Sequence, residues 1–419
     1  MKLMWKKEYV APLETIAYLS SPTMHREELE YIKLAFDTNW MSCLGENIDE
    51  TERLTRERVN CGYSVAVGSG TAALHLAVKL AAEEAYGTPA KGRLSLEGKR
   101  VFVSDTTFVA TVSPVIYEGG KPVFIDMERE TWNMDPAALE RAFEKYPDTR
   151  VVILAYLYGT PAKLDELRDV CDRHQAILVE DAAEALGSIY KGKALGSFGK
   201  YNVISFNGNK IITGSAGGIL LSDEKEKCEK ARKWSTQSRE AAPWYQHEEI
   251  SYNYRMSNVI AGVIRGQFLH IDEHIAQKTA IYDRYAKGLR NLPVTLNPID
   301  LVNTVPNHWL TCMVIRPEAM CGETRLDRTY SYEPEPGKSC PMEILEALQS
   351  IHAQGRPIWK PMHMQPYYAD CDFITAENVS AGQSVGTDIY RRGLCLPSDN
   401  KMTPEVQDRI IEMICRCFA

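Results

Sequence analysis

The sequence predicts an α/β fold, and three observations carry that expectation. From residue 64 onward, short apolar runs alternate with amphipathic helical patterns, the spacing of strands joined by crossover helices in a largely parallel sheet. The chain has 419 residues, 44% of them apolar and 25% charged, enough for a substantial core and two domains. After about residue 270 the alternation gives way to a long helical stretch, prolines and irregular segments, which predicts a smaller α+β part.

Taken in order, SGTAALHLAVKL (69–80) predicts a helix with small residues at its start. VFVS (101–104) and PVFID (122–126) predict strands. DPAALERAFEK (135–145) has an Asp-Pro start and amphipathic spacing, which predict a helix. VVILAY (151–156) predicts a buried strand, 164–174 a helix, and AILV (176–179) a strand running into Glu180 and Asp181. Strands follow at 202–206 and 218–221, then a charged helix from Asp223. Residues 259–289 predict one long helical stretch, 341–354 a helix, 356–368 a loop, and the segment after Pro404 a terminal helix. The organisation expected is an N-terminal segment, 1–60, packing on the body; a large domain, 61–270; and a linking helix with a small domain, 271–419.

The formal net charge of −8 argues against broad nucleic-acid binding, so an anionic ligand needs local cations. No run of eighteen apolar residues exists, so membrane insertion is not expected, and the basic opening lacks the apolar stretch of a secretory leader. The eleven cysteines are odd in number and form no C-x-x-C pair, which points to reduced packing thiols in the cytoplasm and no metal site.

Four local patterns bear chemistry. Gly68-Ser69-Gly70-Thr71 before an apolar helix suits a phosphate, through free backbone N–H groups and hydroxyls, and equally suits a plain helix cap. Glu180-Asp181-Ala182-Ala183-Glu184 ends a buried strand, where open α/β sheets bind ligands; an acid there either holds a pyridinium nitrogen protonated or caps a helix. In SFNGNKIITG (205–214), Lys210 lies between a strand and a glycine-containing loop; in a partly dry site it becomes a nucleophilic amine, and otherwise it is a solvated surface lysine. SYNYRMS (251–257) is a dense polar-aromatic run before the long helix.

In this order and spacing the patterns resemble the sugar aminotransferase family named for DegT, DnrJ, EryC and StrS, a group of fold-type I pyridoxal-phosphate enzymes. The resemblance runs from FDTNW (36–40) to the tail through SGTAALHLA (69–77), TFVATVSPV (107–115), PVFIDM (122–127), LYGTPAKLDEL (157–167), EDAAEALGS (180–188), SFNGNKIITGSAGG (205–218) and YNYRMSNVIAG (252–262). It implies a mostly parallel seven-stranded sheet between helices plus the smaller C-terminal α+β domain. Lys210 would form the Schiff base with pyridoxal 5'-phosphate and shuttle the proton, with pyridoxamine phosphate as the alternate form. Asp181 would pair with the pyridinium nitrogen, and Phe108 would cover the ring. Gly70, Thr71 and Ser205 would hold the phosphate, with Asn207 in the cofactor set. Glu184 would stand beside cofactor and substrate, and Asn253 would reach the neighbouring subunit's cofactor phosphate in a homodimer with shared sites. A histidine in place of the lysine marks dehydrating relatives, and Lys210 argues against that variant.

RPIWKPMH (356–363) resembles the substrate segment of members that aminate a nucleotide-linked 4-keto-6-deoxy sugar, and also reads as a proline-stiffened loop packing on the core. Arg356 and Lys360 would meet a diphosphate, Trp359 and His363 the sugar or base, with Trp40 and Arg255 near the same site. The expected reaction is a ping-pong transamination from an amino acid, L-glutamate in the family, to C4 of a UDP-linked sugar for bacterial polysaccharide or glycan synthesis. GDP or dTDP carriers, amination at C3, and a non-catalytic cofactor-binding regulator are the alternatives. Residues 321–340 match no family pattern and are candidates for shaping the nucleotide pocket.

Overall fold

A computed structural model describes residues 10–376 and 383–419; the basic opening, 1–9, lies outside the described residues. Two helices, α1 (Glu27–Asp37) and α2 (Glu46–Val59), come first. α2 is polar along most of its length, yet it buries Asn47 and Thr51 because their side chains donate to the carbonyls of Asn258 and Ala261. The alternation follows as β1 (Tyr63–Val67), α3 (Gly70–Tyr86), β2 (Arg100–Ser104), α4 (Ser113–Tyr117), β3 (Lys121–Ile125), α5 (Pro136–Lys145), β4 (Val151–Ala155), α6 (Leu164–Arg173) and β5 (Ile177–Asp181). The expected helix starts hold in detail: Ser69 accepts from the Ala72 N–H and Asp135 from the Ala137 N–H. α3 runs on to Tyr86, because small and apolar residues continue until Gly87 at φ 86° ends it.

Two short strands, β6 (Ile189–Tyr190) and β7 (Lys193–Ala194), precede β8 (Tyr201–Ser205), β9 (Gly218–Ser222) and α7 (Lys225–Ser235). The stretch expected as one helix is two, α8 (Asn258–Phe268) and α9 (Ile271–Gly288), because His270 leaves helical dihedrals at φ −114°, ψ 5°. The chain continues through β10 (Val294–Leu296), β11 (Thr304–Val305), β12 (Cys312–Ile315), the hairpin β13 (Gly322–Arg325) and β14 (Tyr330–Glu333), α10 (Pro341–Ser350) and β15 (Arg356–Pro357). It ends with β16 (Asp372–Ile374), α11 (Val385–Arg392), β17 (Gly393–Cys395) and α12 (Pro404–Cys417).

The large sheet has eight strands in the order β1-β9-β8-β5-β4-β2-β3-β16, one more than expected. The strands from β8 to β16 in that order are parallel; β9 is reversed, and the edge strand β1, antiparallel to β9, runs in the direction of the others. The extra strand comes from the C-terminal part, where Asp372 lies opposite Val123. Buried Asp126, just past β3, fastens it by accepting from the N–H groups of Ala376, Val385 and Gly386. Both faces of the sheet are covered, so Phe102 and Val152 enter one core while Val101, Val103 and Ile153 enter the other. That is why these strands read as continuous apolar runs. A second, antiparallel sheet, β10-β12-β17-β15, shares a core with α9, α10 and α12 through Tyr285, Met313, Leu348, Leu394 and Ile410. The N-terminal segment packs there as well, with Leu13 and Ala17 in the same core. The hairpin at 322–333 rests on α10, where Tyr330 and Tyr332 donate to Glu346. All eleven cysteines are free, and among the described residues no helix is long and apolar enough to cross a membrane.

Candidate active site

A cavity of about 320 Å³ opens at the carboxyl ends of β4, β5 and β8, where a parallel sheet leaves room for a ligand. Lys210 projects into it from the loop after β8, anchored by its own N–H to the Asn207 carbonyl. Its Nζ lies 3.5 Å from Glu184 Oε1 and 4.5 Å from the centre of the Trp309 ring. Glu184, just past β5, also accepts from the Tyr158 N–H at 2.8 Å. Burial raises its carboxyl to about 7, against the pull of the Lys210 ammonium. Asp181, the last residue of β5, accepts from Thr111 Oγ1 at 2.6 Å and from the Ala183 N–H at 3.1 Å. Burial holds its carboxyl above the usual range, and Thr107 aligns Thr111 through a 2.7 Å hydroxyl contact.

At the other end of the cavity stands the first turn of α3. Gly70 packs so closely on β8 that a Cβ there would come within 2.8 Å of Ser205 Cβ. That close approach, with the hydroxyls of Thr71 and Ser205 at the N-terminus of α3, leaves a recess of the kind that suits a phosphate and that a larger residue would fill. The donor set therefore fits pyridoxal phosphate: a cradle for its phosphate, an amine for its aldehyde, and a fixed carboxylate for its ring nitrogen. Phe108 is 57% exposed at the cavity wall, with its ring 5.7 Å from that of Trp359.

Gly70, Thr71, Phe108, Asp181, Glu184, Ser205, Asn207, Lys210, Arg356 and Trp359 all line this one cavity. The other expected residues do not. His363 is turned away: its Nδ1 lies 2.7 Å from Asp105 Oδ2, its N–H donates to Asp105 Oδ1, and its ring stacks on Phe373. Arg255 is likewise occupied inside its own chain, donating to the Ala66 carbonyl at 2.7 Å and to Glu52. Trp40 is exposed outside the cavity wall, its carbonyl accepting from Asn258. Lys360 follows Trp359 but is not a wall residue, and Asn253 is exposed away from this chain's own cavity. The hairpin from 321 to 340 also lies off the cavity; Arg325 is spent on Glu323 and on the carbonyls of Tyr390 and Arg391.

Sequence reasoning passed over several groups that shape the site. Trp309 covers Lys210 and donates from Nε1 to the Asn209 carbonyl at 2.6 Å. Asn307 donates to the Glu184 and Leu186 carbonyls and packs on Gly159, where an added Cβ would come within 2.0 Å of its Oδ1. Thr111 lies inside the TFVATVSPV stretch, which is its signal in the sequence; Trp309 and Asn307 carry none, since only the fold brings Trp309 to Lys210 and Asn307 to the Glu184 carbonyl.

Comparison with known proteins finds matches over nearly the whole chain. The profile of the DegT/DnrJ/EryC1/StrS aminotransferase family matches residues 22–415. A putative pyridoxal phosphate-dependent aminotransferase EpsN of Bacillus subtilis is 40% identical over 405 residues, 96% of this chain and 95% of that protein. GDP-perosamine synthase of Vibrio cholerae is 30% identical over 95% of this chain and 96% of its own. Among solved structures, the pyridoxal-phosphate form of the putative sugar aminotransferase Spr1654 of Streptococcus pneumoniae superposes with a TM-score of 0.80 at 20% identity. That match covers 95% of this chain and 97% of the other.

Proposed function

Because this chain belongs to the DegT/DnrJ/EryC1/StrS family of pyridoxal-phosphate-dependent sugar aminotransferases, we propose that it moves an amino group from L-glutamate to C4 of a nucleotide-linked 4-keto-6-deoxy sugar. The observation that carries this reading is the convergence of Lys210, Glu184 and Asp181 on one cavity that Arg356 and Trp359 also line. Bound there, pyridoxal phosphate supplies the electron sink and stores the amino group between half-reactions. Asp181, aligned by Thr111, would be the partner for its ring nitrogen, whose positive charge would hold the carboxylate ionised against the burial that raises it. Lys210 Nζ moves the proton to and from the amine-bearing carbon of the substrate. Glu184 Oε1, 3.5 Å away, is placed to take that proton from Nζ and return it. Trp309, Leu157 and Leu310 line the same cavity, and the Lys210 side chain is largely buried in it.

The sugar carrier we favour is UDP, with an N-acetylhexosamine, in bacterial polysaccharide or glycan synthesis. GDP is the second reading, favoured by the 30% identity to GDP-perosamine synthase. A regulator without turnover loses its support, since the family consists of enzymes. A homodimer in which Asn253 of one copy reaches the other's phosphate cradle completes the proposal, and a monomeric mass in solution would overturn that part. The reaction itself is tested by following L-glutamate consumption with each keto sugar. Wild type should turn over with the UDP-linked sugar, and Lys210→Ala should lose turnover by on the order of 10⁴-fold while keeping its melting temperature. Near-normal activity in that variant sinks the assignment.

A further inference from the structure

Beside the cavity that holds Lys210 lies a second one, of about 370 Å³, and the two share Leu19 and Arg356 as wall residues. The first, at about 320 Å³, lies at the low end of the size of small-molecule sites, and the cofactor would take its inner end. A sugar nucleotide must therefore extend beyond it.

The second cavity is built by laying residues 13–19 along the end of α10. The Leu13 N–H donates to the Ile351 carbonyl, the Ala17 N–H to that of His352, and the Gln354 N–H to that of Ala17. Leu19 closes the wall, its N–H held by Gln354 Oε1 and its carbonyl by the Ser398 N–H. Ile16 and Leu19 give an apolar side; Gln349, His352 and Gln354 give a polar one. No aspartate or glutamate lines it, in a chain whose formal charge is −8. Arg356 is exposed at the seam, with no hydrogen bond or ion pair to its guanidinium among the described residues. Gln349 is exposed with its whole amide available, and Gln354 keeps its NH₂ group once its oxygen is taken by Leu19. His352 Nδ1 lies 3.2 Å from the Leu13 carbonyl, so it donates there and leaves Nε2 as an acceptor.

We infer that this groove receives the nucleoside end of the substrate, with the Arg356 guanidinium on the diphosphate between the two cavities. The inference rests on the reading of the chain as a nucleotide-sugar aminotransferase. A forked cation beside a mixed row of donors and acceptors, with an apolar wall behind, matches a diphosphate followed by a ribose and the polar edge of a base.

Calorimetric titration of the cofactor-loaded protein with UDP, GDP and dTDP tests it. At least one should bind, and Arg356→Gln and Gln349→Trp, the second a plug for the groove, should each weaken that binding by about tenfold or more at unchanged melting temperature. Gln349→Trp binding within about twofold of wild type, or no binding of any of the three to wild type, overturns the inference. The wild-type half-reaction with L-glutamate, followed on the same preparation, reports on the aminotransferase reading by itself, so the two failures are told apart.

Discussion

On the cofactor side of the cavity, Asp181 and Ser205 are the last residues of β5 and β8, and Glu184 and Lys210 follow within a few positions. On the substrate side, the loop from Arg356 to His363 brings Arg356 and Trp359 to the wall and turns His363 to Asp105. The difference lies in what fixes each side chain. A strand end in a parallel sheet has its direction set by the register of its neighbours, so a carboxylate there can point only one way. A loop stiffened by Pro357 and Pro361 presents its side chains according to what packs beneath, and a nearby buried acid recruited the imidazole first.

Three variants probe that contrast. The largest effect belongs to the cofactor side: Asp181→Asn removes the fixed charge while preserving shape, and kcat should fall on the order of 10²–10³-fold. A kcat within about threefold of wild type would mean that the buried carboxylate does not serve the ring nitrogen.

A smaller effect comes from Glu184. Its carboxyl sits at about 7 in the folded protein, against about 4.3 in an unfolded chain. Between those values the folded state holds the proton that the unfolded state has lost, so the cofactor-free protein loses stability as pH rises through this window. Glu184→Gln should flatten the dependence, and its unfolding free energy relative to wild type should rise by about 1–3 kcal/mol across the window. Parallel curves for the two proteins would show that Glu184 titrates normally.

The smallest change in catalysis is expected from His363→Asn. With the bond to Asp105 weakened and the stacking on Phe373 lost, stability should drop by about 1–3 kcal/mol while KM for the sugar nucleotide stays put. A raised KM at unchanged melting temperature would restore His363 to the substrate.

The same contrast explains what the sequence disclosed. Strands such as VVILAY and the cofactor residues were legible, because burial on both faces writes an unbroken apolar run and the chemistry sits where each run stops. The eighth strand was not, since Asp372-Phe373-Ile374 is three residues long and exists only because Asp126 ties the following turn to β3. The break between α8 and α9 has no proline or glycine at Leu269 and His270 to announce it. Trp309 reaches the lysine, and Asn307 the Glu184 carbonyl, across about a hundred residues of chain, and no local pattern records such meetings.

The most direct test of the central claim is a single half-reaction. The protein is loaded with pyridoxamine phosphate, and the visible band of the lysine-bound cofactor is followed after adding the UDP-linked 4-keto sugar, with the GDP-linked sugar in parallel. Return of the band in wild type with a nucleotide-linked keto sugar, and its absence in Lys210→Ala, is the predicted result. Silence from wild type with both sugars would contradict amine transfer to a 4-keto sugar nucleotide by this site.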